Sequence, residues 1–304
     1  GFIANPPAAL HTSGQPYPLT VTNQNRRTFL ATVGAAALGT MGLAGTACAT
    51  NGNLRGSRKI NRIGLQLYTV RDLMQADLPG TLAQVAAAGY KEVEFAGYFG
   101  RSASEIRDLL ARNGLTSPSA HIGIEQMQQN FQKVADDAKV IGHQWVTVPY
   151  LQENQRNDWK GLAAQLNRLG AQAKANGLRL AYHNHDFEIR PVNGVRPLDV
   201  LLDNTDPALV DSEMDLYWVR FGGGDPLDFF NRHPGRFKMV HVKDSAGPPD
   251  NKMADVGSGV INWAAIFAQS DKAGIQHYFV EHDQPANALQ SIRNSAAYLS
   301  ALTY

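Results

Sequence analysis

The stretch FQKVADDAKVIGHQWVTVPY, residues 131–150, decides the fold class. Apolar residues recur at helical spacing over Phe131–Ile141, and a run typical of a buried strand follows over Gln144–Tyr150. Between them stands Gly142, at the place where a left-handed residue commonly ends a helix. A helix followed so closely by a buried strand is half of a β–α–β unit, so the stretch predicts a parallel sheet covered by helices.

The same alternation of strand and helix repeats eight times from Ile60 to the end of the chain. The predicted strands are Ile63–Tyr68, Tyr90–Ala96, Thr116–Ile122, Gln144–Tyr150, Leu178–His185, Leu209–Tyr217, Phe237–Lys243 and Gln276–Asp283. The predicted helices include Leu78–Ala88, Ala103–Asn113, Phe131–Ile141, Trp159–Asn176, Leu198–Asn204, Pro226–His233, Trp263–Ala273 and Ala288–Leu302, and Gly89, Gly114, Gly177 and Gly274 follow helices as Gly142 does. The pattern predicts an α/β fold, a single (β/α)8 TIM barrel over residues 60–304. An open doubly wound sheet is disfavoured, because residues 68–71 after the first strand lack that fold's glycine-rich phosphate turn.

Composition narrows the classes of function. The chain has 304 residues, of which 43% are hydrophobic, enough for one large domain plus an export segment. A formal net charge of +1 offers no basic field for a polyanion, so nucleic acid is not an expected partner. Cys48 is the only cysteine, which excludes an internal disulfide. Nothing in the composition assigns an oligomeric state.

Residues 1–50 are interpreted as an N-terminal region with a twin-arginine-type export signal. Arg26 and Arg27 precede an uncharged run rich in Ala, Gly and Leu over residues 31–50. A transmembrane anchor is disfavoured, because the glycines from Gly34 to Gly45 keep this run weakly hydrophobic. Cys48 follows a segment that loosely resembles a lipoprotein cleavage box, which leaves a lipid anchor open. Residues 51–59 are a polar linker, and the protein is expected to be periplasmic, or lipid-anchored and facing the periplasm.

Polar residues gather at the C-terminal ends of the last four predicted strands, in the segments LAYHNHDFE (180–188), DSEMD (211–215), MVHVKD (239–244) and FVEHD (279–283). Strands of a parallel barrel are buried on both faces and are normally apolar. These polar residues lie at the C-terminal end of the barrel, where (β/α)8-barrel enzymes have their active sites. Residues two apart on a strand share a face, so each of these pairs points one way: His183 and His185, Glu213 and Asp215, His241 and Lys243, Glu281 and Asp283.

If those faces point inward, several carboxylates and imidazoles meet at the mouth of the barrel. Buried acids in such numbers repel one another unless a cation is present. The expected cofactor is therefore one divalent metal ion, with mixed imidazole and carboxylate ligands suiting Mn, Zn, Co or Fe, and Mg also open. For a single residue the plainer interpretation is structural: a core histidine, or a strand-end ion pair of Lys243 and Asp244.

Five motifs over Ile63–Leu302 resemble the xylose-isomerase-like barrel superfamily of sugar phosphate isomerases and epimerases, which includes inosose dehydratases and the endonuclease IV family. They are YHNHDFE (182–188), MDLYW (214–218), GGDP (223–226), HVKD (241–244) and VEHD (280–283). The resemblance implies metal ligands at Asp215, His241 and Glu281. His183 stands where epimerases of the superfamily have glutamate, and is taken as the fourth ligand in preference to Glu188.

The resemblance also implies other roles. Glu281, Glu188, His185 and Lys243 are the candidate catalytic groups, and Glu94, His121 and Trp218 are the candidate substrate contacts. With histidine in place of the strand-five glutamate, the segment is closer to the inosose dehydratase pattern, which favours elimination or hydration beside a carbonyl.

The predicted function is proton abstraction next to a carbonyl of a sugar, keto-sugar or cyclic polyol, by a metal-dependent isomerase, epimerase or dehydratase-like lyase. Two alternatives stay open. A catalytically inactive, exported carbohydrate-binding barrel predicts that no metal co-purifies. A phosphodiesterase like endonuclease IV requires ligands for several zinc ions and a basic face, and the sequence offers neither clearly.

Overall fold

The computed structural model describes residues 58–304. The predicted twin-arginine signal in residues 1–50, the candidate lipid anchor at Cys48 and linker residues 51–57 lie outside the described residues. Arg58 and Tyr304 exchange two backbone hydrogen bonds, of 3.2 and 3.0 Å, which join the start of the described chain to its C-terminus. No helix within residues 58–304 is long and apolar enough to cross a membrane.

All eight predicted strands are present, and they close into a parallel barrel. The barrel strands are β1 (Ile63–Gln66), β2 (Glu92–Phe95), β3 (Thr116–His121), β4 (Trp145–Val148), β5 (Arg179–His183), β6 (Val210–Asp215), β7 (Phe237–Val242) and β10 (His277–Val280), and a short antiparallel ribbon, β8 (Asp244–Ser245) with β9 (Met253–Ala254), follows β7. Each strand pairs with its neighbours along the chain, and β10 closes the barrel against β1. The predicted (β/α)8 fold is confirmed.

The predicted helices other than Trp263–Ala273 are present, with boundaries that differ by one residue at most, and the described chain has three further short helices that were not predicted. They are α1 (Arg71–Ala76), α2 (Leu78–Ala87), α3 (Ala103–Arg112), α4 (Ile124–Gln129), α5 (Phe131–Ile141), α6 (Trp159–Ala175), α7 (Pro197–Asn204), α8 (Leu216–Phe221), α9 (Pro226–Arg232), α10 (Trp263–Phe267), α11 (Ser270–Ala273) and α12 (Ala288–Ala301). The prediction of one helix over Trp263–Ala273 was wrong, because Gln269 N–H bonds to the carbonyl of Ile266, three residues back, and this tighter turn separates α10 from α11.

The glycines predicted to end helices do so in the left-handed conformation. Gly142 after α5 has φ +100° and Gly274 after α11 has φ +87°. A side chain at Gly274 would also lie 2.9 Å from the backbone of Gly235, so both conformation and space require glycine there. These turns let each helix pack on the barrel and lead directly into the next strand.

An apolar layer fills the barrel directly below its polar mouth. It consists of Trp145, Ala181, Met239 and Phe279. Three of these residues stand two positions before His183, His241 and Glu281, so strand alternation points those side chains inward, one layer higher. Gly64 makes room for the layer, because a Cβ there would lie 2.5 Å from the ring of Phe279. The apolar layer therefore forms the floor on which the polar groups sit.

Candidate active site

Imidazoles, carboxylates and one lysine meet at the C-terminal mouth of the barrel. This mouth cluster comprises Glu94 on β2, His121 on β3, His183 on β5, Glu213 and Asp215 on β6, His241 on β7, and Lys243 and Glu281 just past β7 and β10. All of them are buried except His121, whose side chain keeps 10% of its exposure. The predicted convergence of side chains from the last four strands is therefore present, and β2 and β3 add to it.

Asp215 is placed by the start of helix α8. One of its carboxylate oxygens, Oδ1, accepts the backbone N–H of Trp218 at 2.9 Å and so caps the helix. The other, Oδ2, faces the cluster, 3.0 Å from Lys243 Nζ and 3.8 Å from His183 Nε2. Burial raises the pKa of Asp215 to about 6, although the Lys243 ammonium opposes that rise. The helix cap thus leaves one oxygen directed at the place where a cation would bind.

Lys243 is a buried ammonium among three carboxylates. Its Nζ lies 3.0 Å from Asp215, 2.9 Å from Glu281 Oε2 and 2.8 Å from Asp283 Oδ1. Burial alone would lower the pKa of Lys243, yet these carboxylates raise it well above the usual value. The lysine is therefore a fixed positive charge, suited to stabilise an anion that forms nearby.

His241 stands at the centre of the cluster and contacts carboxylates through both ring nitrogens. Nδ1 lies 2.6 Å from Glu281 Oε2, and Nε2 lies 2.8 Å from Glu94 Oε2. Glu94 is held in turn by Gln66 Nε2 at 2.7 Å. Burial alone would lower the pKa of His241, but Glu213 and Glu281 raise it well above its usual value.

The two histidines of the strand-five segment stay neutral. Burial lowers the pKa of His183 to about 3, helped by the neighbouring charge of His241. Burial likewise lowers the pKa of His185 well below its usual value. Neutral imidazole is the form that binds a metal. These rings can therefore act as ligands or as neutral hydrogen-bonding groups, and not as imidazolium acids at neutral pH.

The residues present fit a divalent metal. Two overlapping sets of side chains have donor atoms that all lie within 4.8 Å of one another. The first set is Asp215, His241 and Glu281, and the second is His121, His183, Glu213 and His241. Buried polar atoms of the second set and of the neighbouring Glu94 lack a hydrogen-bond partner in the described structure, namely Glu213 Oε1, His183 Nδ1 and Glu94 Oε1. Such atoms are costly unless something else binds them, and a cation answers that requirement.

One side of the mouth is an aromatic wall, formed by Tyr150, His185, Phe187, Trp218 and Phe221. The ring of His185 stacks on Phe187 at 5.8 Å between centroids and lies 5.7 Å from Trp218. Trp218 Nε1 is buried without a hydrogen-bond partner in the described residues. Partly exposed rings beside charged groups are the usual lining of a site for a small ligand.

Glu188 is not brought into the mouth cluster. Its Oε1 accepts the hydroxyl of Tyr182 at 2.6 Å and its Oε2 accepts the backbone N–H of His185 at 2.8 Å. Burial raises its pKa to about 7. In this position it shapes the turn that carries His185, and its assignment as a catalytic group stays a prediction.

Sequence reasoning did not assign a role to Glu213. Its Oε2 lies 2.8 Å from His121 Nε2 and 3.3 Å from His241 Nε2. The signal was available, because Glu213 shares a strand face with Asp215. Glu94 and His121, predicted as substrate contacts, lie against Glu213 and His241 inside the cluster.

The sequence model of a family described as "Xylose isomerase-like TIM barrel" matches residues 82–302. An inosose dehydratase from Geobacillus thermodenitrificans is 24% identical over 238 residues, which cover 66% of this chain and 79% of that protein.

Two solved structures extend the comparison. A sugar phosphate isomerase/epimerase from Parabacteroides distasonis is 26% identical with a TM-score of 0.68, covering 85% of this chain and 99% of that one. A structure described as IOLI protein with a binding zinc atom has a TM-score of 0.60 and 14% identity, covering 78% of this chain and 95% of that one. At that identity the second structure supports the fold alone.

Proposed function

We propose a function from one premise: the chain belongs to the xylose isomerase-like TIM barrel family. The protein is a divalent-metal-dependent lyase of the dehydratase kind. It removes a proton next to a carbonyl of a keto-sugar or cyclic keto-polyol and expels water or an alcohol from the next carbon. Isomerisation or epimerisation of a sugar by the same proton abstraction is the second candidate, favoured by the similar sugar phosphate isomerase/epimerase.

The observation that carries the proposal is the set of donors around His241. Asp215, Glu281 and His183 surround it at the mouth of the barrel, with Lys243 in contact with both carboxylates. Asp215, His241 and Glu281, with His183 beside them, would hold the ion. When bound there, a divalent metal supplies Lewis acidity that polarises a substrate carbonyl.

Elimination is favoured over epimerisation by the residue on strand five. An epimerase with two bases requires a carboxylate on each side of the reacting carbon. Here Glu281 is a carboxylate, because Lys243 and His241 overcome the effect of burial and lower its pKa well below the usual value. The opposite strand offers the neutral imidazole of His183 instead. The similar inosose dehydratase, a dehydratase by its name, points the same way.

The side chains divide the reaction between them. The Glu281 carboxylate takes the proton from the carbon beside the carbonyl, and the released electron pair forms an enolate. The ammonium of Lys243, 2.9 Å from Glu281, stabilises the negative oxygen as it forms. The electrons then return to form a carbon–carbon double bond, the bond to the β-oxygen breaks, and the leaving oxygen takes up a proton.

His185 is placed to orient the leaving oxygen. Its ring belongs to the aromatic wall and lies 5.0 Å from the ring of His183, between the mouth cluster and Phe187. Its Nδ1 is buried without a hydrogen-bond partner among the described residues. Since the ring is neutral, it acts as a hydrogen-bonding group, and the proton is delivered by another acid or by water.

The aromatic wall also suits the substrate class. A polyol ring presents C–H groups on its faces and hydroxyls at its edge. The face can pack on Trp218 or Phe187, while hydroxyls reach the unpartnered Trp218 Nε1.

We further propose that the protein is exported through the twin-arginine-type signal at Arg26 and Arg27 and acts in the periplasm, where it meets sugars that have entered the cell envelope.

The test is to incubate the metal-loaded protein in D2O with an inosose, a 3-keto-glycoside and a free ketose. We expect loss of water or of the aglycone from the keto compounds, with formation of an unsaturated ketone that absorbs in the ultraviolet. Glu281→Gln should abolish this product. The matched control is Glu92→Gln, at a buried glutamate that begins β2 at the opposite end of the barrel and bonds to Arg62 and His277. Rapid epimerisation of the free ketose, with the keto compounds unchanged, would show that the protein is an epimerase.

A further inference from the structure

The turn that follows β1 carries a tyrosine that belongs neither to the mouth cluster nor to the aromatic wall. Tyr68 lies in the tight turn Leu67–Val70, and its side chain is partly exposed. Strand β1 pairs with β10 in the register that sets Leu65 beside Val280, so the turn lies next to the segment that carries Glu281. Tyr68 therefore stands at the C-terminal mouth of the barrel.

The backbone of Tyr68 is fixed by two side chains. Its N–H donates to Gln66 Oε1 at 3.0 Å, and Gln66 Nε2 donates to Glu94 Oε2 at 2.7 Å. Its carbonyl accepts Arg71 Nη1 at 2.8 Å, and the same nitrogen donates to the carbonyl of Asp283 at 2.8 Å. These bonds tie the turn to the mouth cluster on one side and to the segment after β10 on the other.

The ring of Tyr68 is also held in place, while its hydroxyl is left without a partner. The guanidinium carbon of Arg71 lies 4.1 Å from the ring centroid, which is a cation–π contact. The hydroxyl forms no hydrogen bond with any residue of the described chain. A phenol with a fixed ring and an unpartnered hydroxyl at the mouth of a site is arranged to donate to a bound ligand.

The surroundings of the hydroxyl keep it protonated. Burial raises the pKa of Tyr68, although the guanidinium of Arg71 opposes the rise. The carboxylates of Asp283 and Glu281 raise this pKa further, and the ammonium of Lys243 lowers it. Since a tyrosine hydroxyl ordinarily titrates near pH 10, the phenol is neutral at neutral pH and has a proton to donate.

Tyr68 faces His185 across the mouth. Strand β1, which precedes Tyr68, and strand β5, which precedes His185, are separated by three strands in either direction around the barrel. The charges of Lys243 and Glu281 act on the pKa of His185 as well as on that of Tyr68, so both groups face the same pair of charges. Burial keeps the His185 ring neutral, so it orients the leaving oxygen and the proton has to come from another group.

We propose that Tyr68, held by Arg71, donates the proton that the leaving oxygen takes up, a role that rests on the proposed lyase reaction. As the bond from the β-carbon to this oxygen breaks, the O–H bond of Tyr68 breaks and its proton passes to the oxygen. The phenolate that remains lies beneath the guanidinium of Arg71, whose charge stabilises it. The proton that Glu281 took from the substrate then returns to the phenolate through water. Both side chains thereby regain their starting states.

The test compares two leaving groups in the metal-loaded parent protein and in Tyr68→Phe. Both substrates are 3-keto-glucosides, one with methanol and one with 4-nitrophenol as the aglycone. Methanol leaves as a strongly basic oxygen that requires a proton, whereas nitrophenolate leaves without one. Tyr68→Phe keeps the ring beneath Arg71 and removes only the hydroxyl. Tyr98→Phe is the matched control, because it removes a hydroxyl that bonds to His143, remote from the mouth.

We expect kcat for the methyl glycoside to fall by about 10²-fold or more in Tyr68→Phe, because the general acid is lost. The value for the nitrophenyl glycoside should change little. Exchange of the α-hydrogen of the methyl glycoside in D2O should continue in Tyr68→Phe, since Glu281 still removes that proton. Tyr98→Phe should match the parent with both substrates, and circular dichroism confirms that each variant is folded.

The outcomes separate this role from the proposed function. If Tyr68→Phe loses the same factor with both leaving groups, or loses nothing with either, Tyr68 is not the proton donor and the inference is wrong, while the lyase function stands. If the parent protein releases neither leaving group and epimerises a free ketose, the proposed lyase function is wrong and the proton-donor role fails with it.

Discussion

His143 provides a quantitative test of the structure at a position remote from the mouth cluster. Its side chain is 4% exposed and stacks on Tyr98 with 6.1 Å between ring centroids. Its Nδ1 lies 2.7 Å from the carbonyl of Ser117, to which it donates, and its Nε2 accepts the hydroxyl of Tyr98 at 3.0 Å. Both bonds are made by the neutral ring, with the proton on Nδ1.

Burial lowers the pKa of His143 from 6.5 to about 4, although its bond to the Ser117 carbonyl opposes the shift. Between pH 6.5 and 4, His143 is protonated in the unfolded chain and stays neutral in the folded chain. The stability that comes from a neutral His143 is therefore fully present above pH 6.5 and is lost as the pH falls toward 4. At about 1.4 kcal/mol per pKa unit, the interval corresponds to a loss of about 3 kcal/mol.

The assay is urea denaturation of the parent protein and of His143→Gln at several pH values between 4 and 7. The parent should lose about 3 kcal/mol more than the variant across this range, because glutamine does not titrate. Tyr98→Phe removes the neighbouring hydrogen bond and keeps the imidazole, so it should retain most of the pH dependence. If the curves of the parent and of His143→Gln run parallel, the ring is protonated or hydrated in the folded state, and the reasoning is refuted.

Three further predictions concern the site and the N-terminal region. Asp215→Ala should lower the bound metal by about one ion per chain, measured by mass spectrometry, and leave the circular dichroism unchanged, because the barrel is stabilised by its apolar layers; unchanged metal would contradict the ligand assignment. Lys243→Met should lower the free energy of unfolding in urea at pH 8 by about 3–5 kcal/mol, because three carboxylates lose their buried cation. Lys243→Arg keeps the charge and should lower it less. Equal losses in the two variants would exclude charge as the cause. Replacing Arg26 and Arg27 by lysines should retain the precursor in the cytoplasm on fractionation, and normal export of that variant would contradict the twin-arginine assignment.

Much of the fold followed from the sequence because its signals are local. The repeat of strand, helix and glycine located all eight barrel strands, and five glycines marked the ends of helices. The short helices α1, α4 and α8 were not predicted, since six residues are too few for a helical period to stand out. The break between α10 and α11 was missed for a related reason: the hydrophobic pattern continues across a turn that tightens for a single hydrogen bond.

The candidate site divides between sequence and structure in the same way. Strand alternation was sufficient to place each pair of polar residues on one face of its strand, because the side-chain period of a strand is fixed by its backbone. That His183, Asp215, His241 and Glu281 point into the mouth was decided by the structure. The sequence also placed polar residues at the mouth. Strands of a parallel barrel are normally apolar, so acids at their C-terminal ends indicate a functional site.

Only the tertiary structure decided which nitrogen faces which carboxylate. The contact of Glu94 with His241 joins residues 147 positions apart, and no local pattern encodes such a distance. The structure also separated Glu188, whose oxygens are bound to Tyr182 and to the backbone of His185, from the carboxylates that remain unpartnered. Side-chain period is a property of one strand. Hydrogen-bond partnership depends on the closure of the whole barrel, which brings side chains of β2 and β7 together although β1 and β10 lie between those strands.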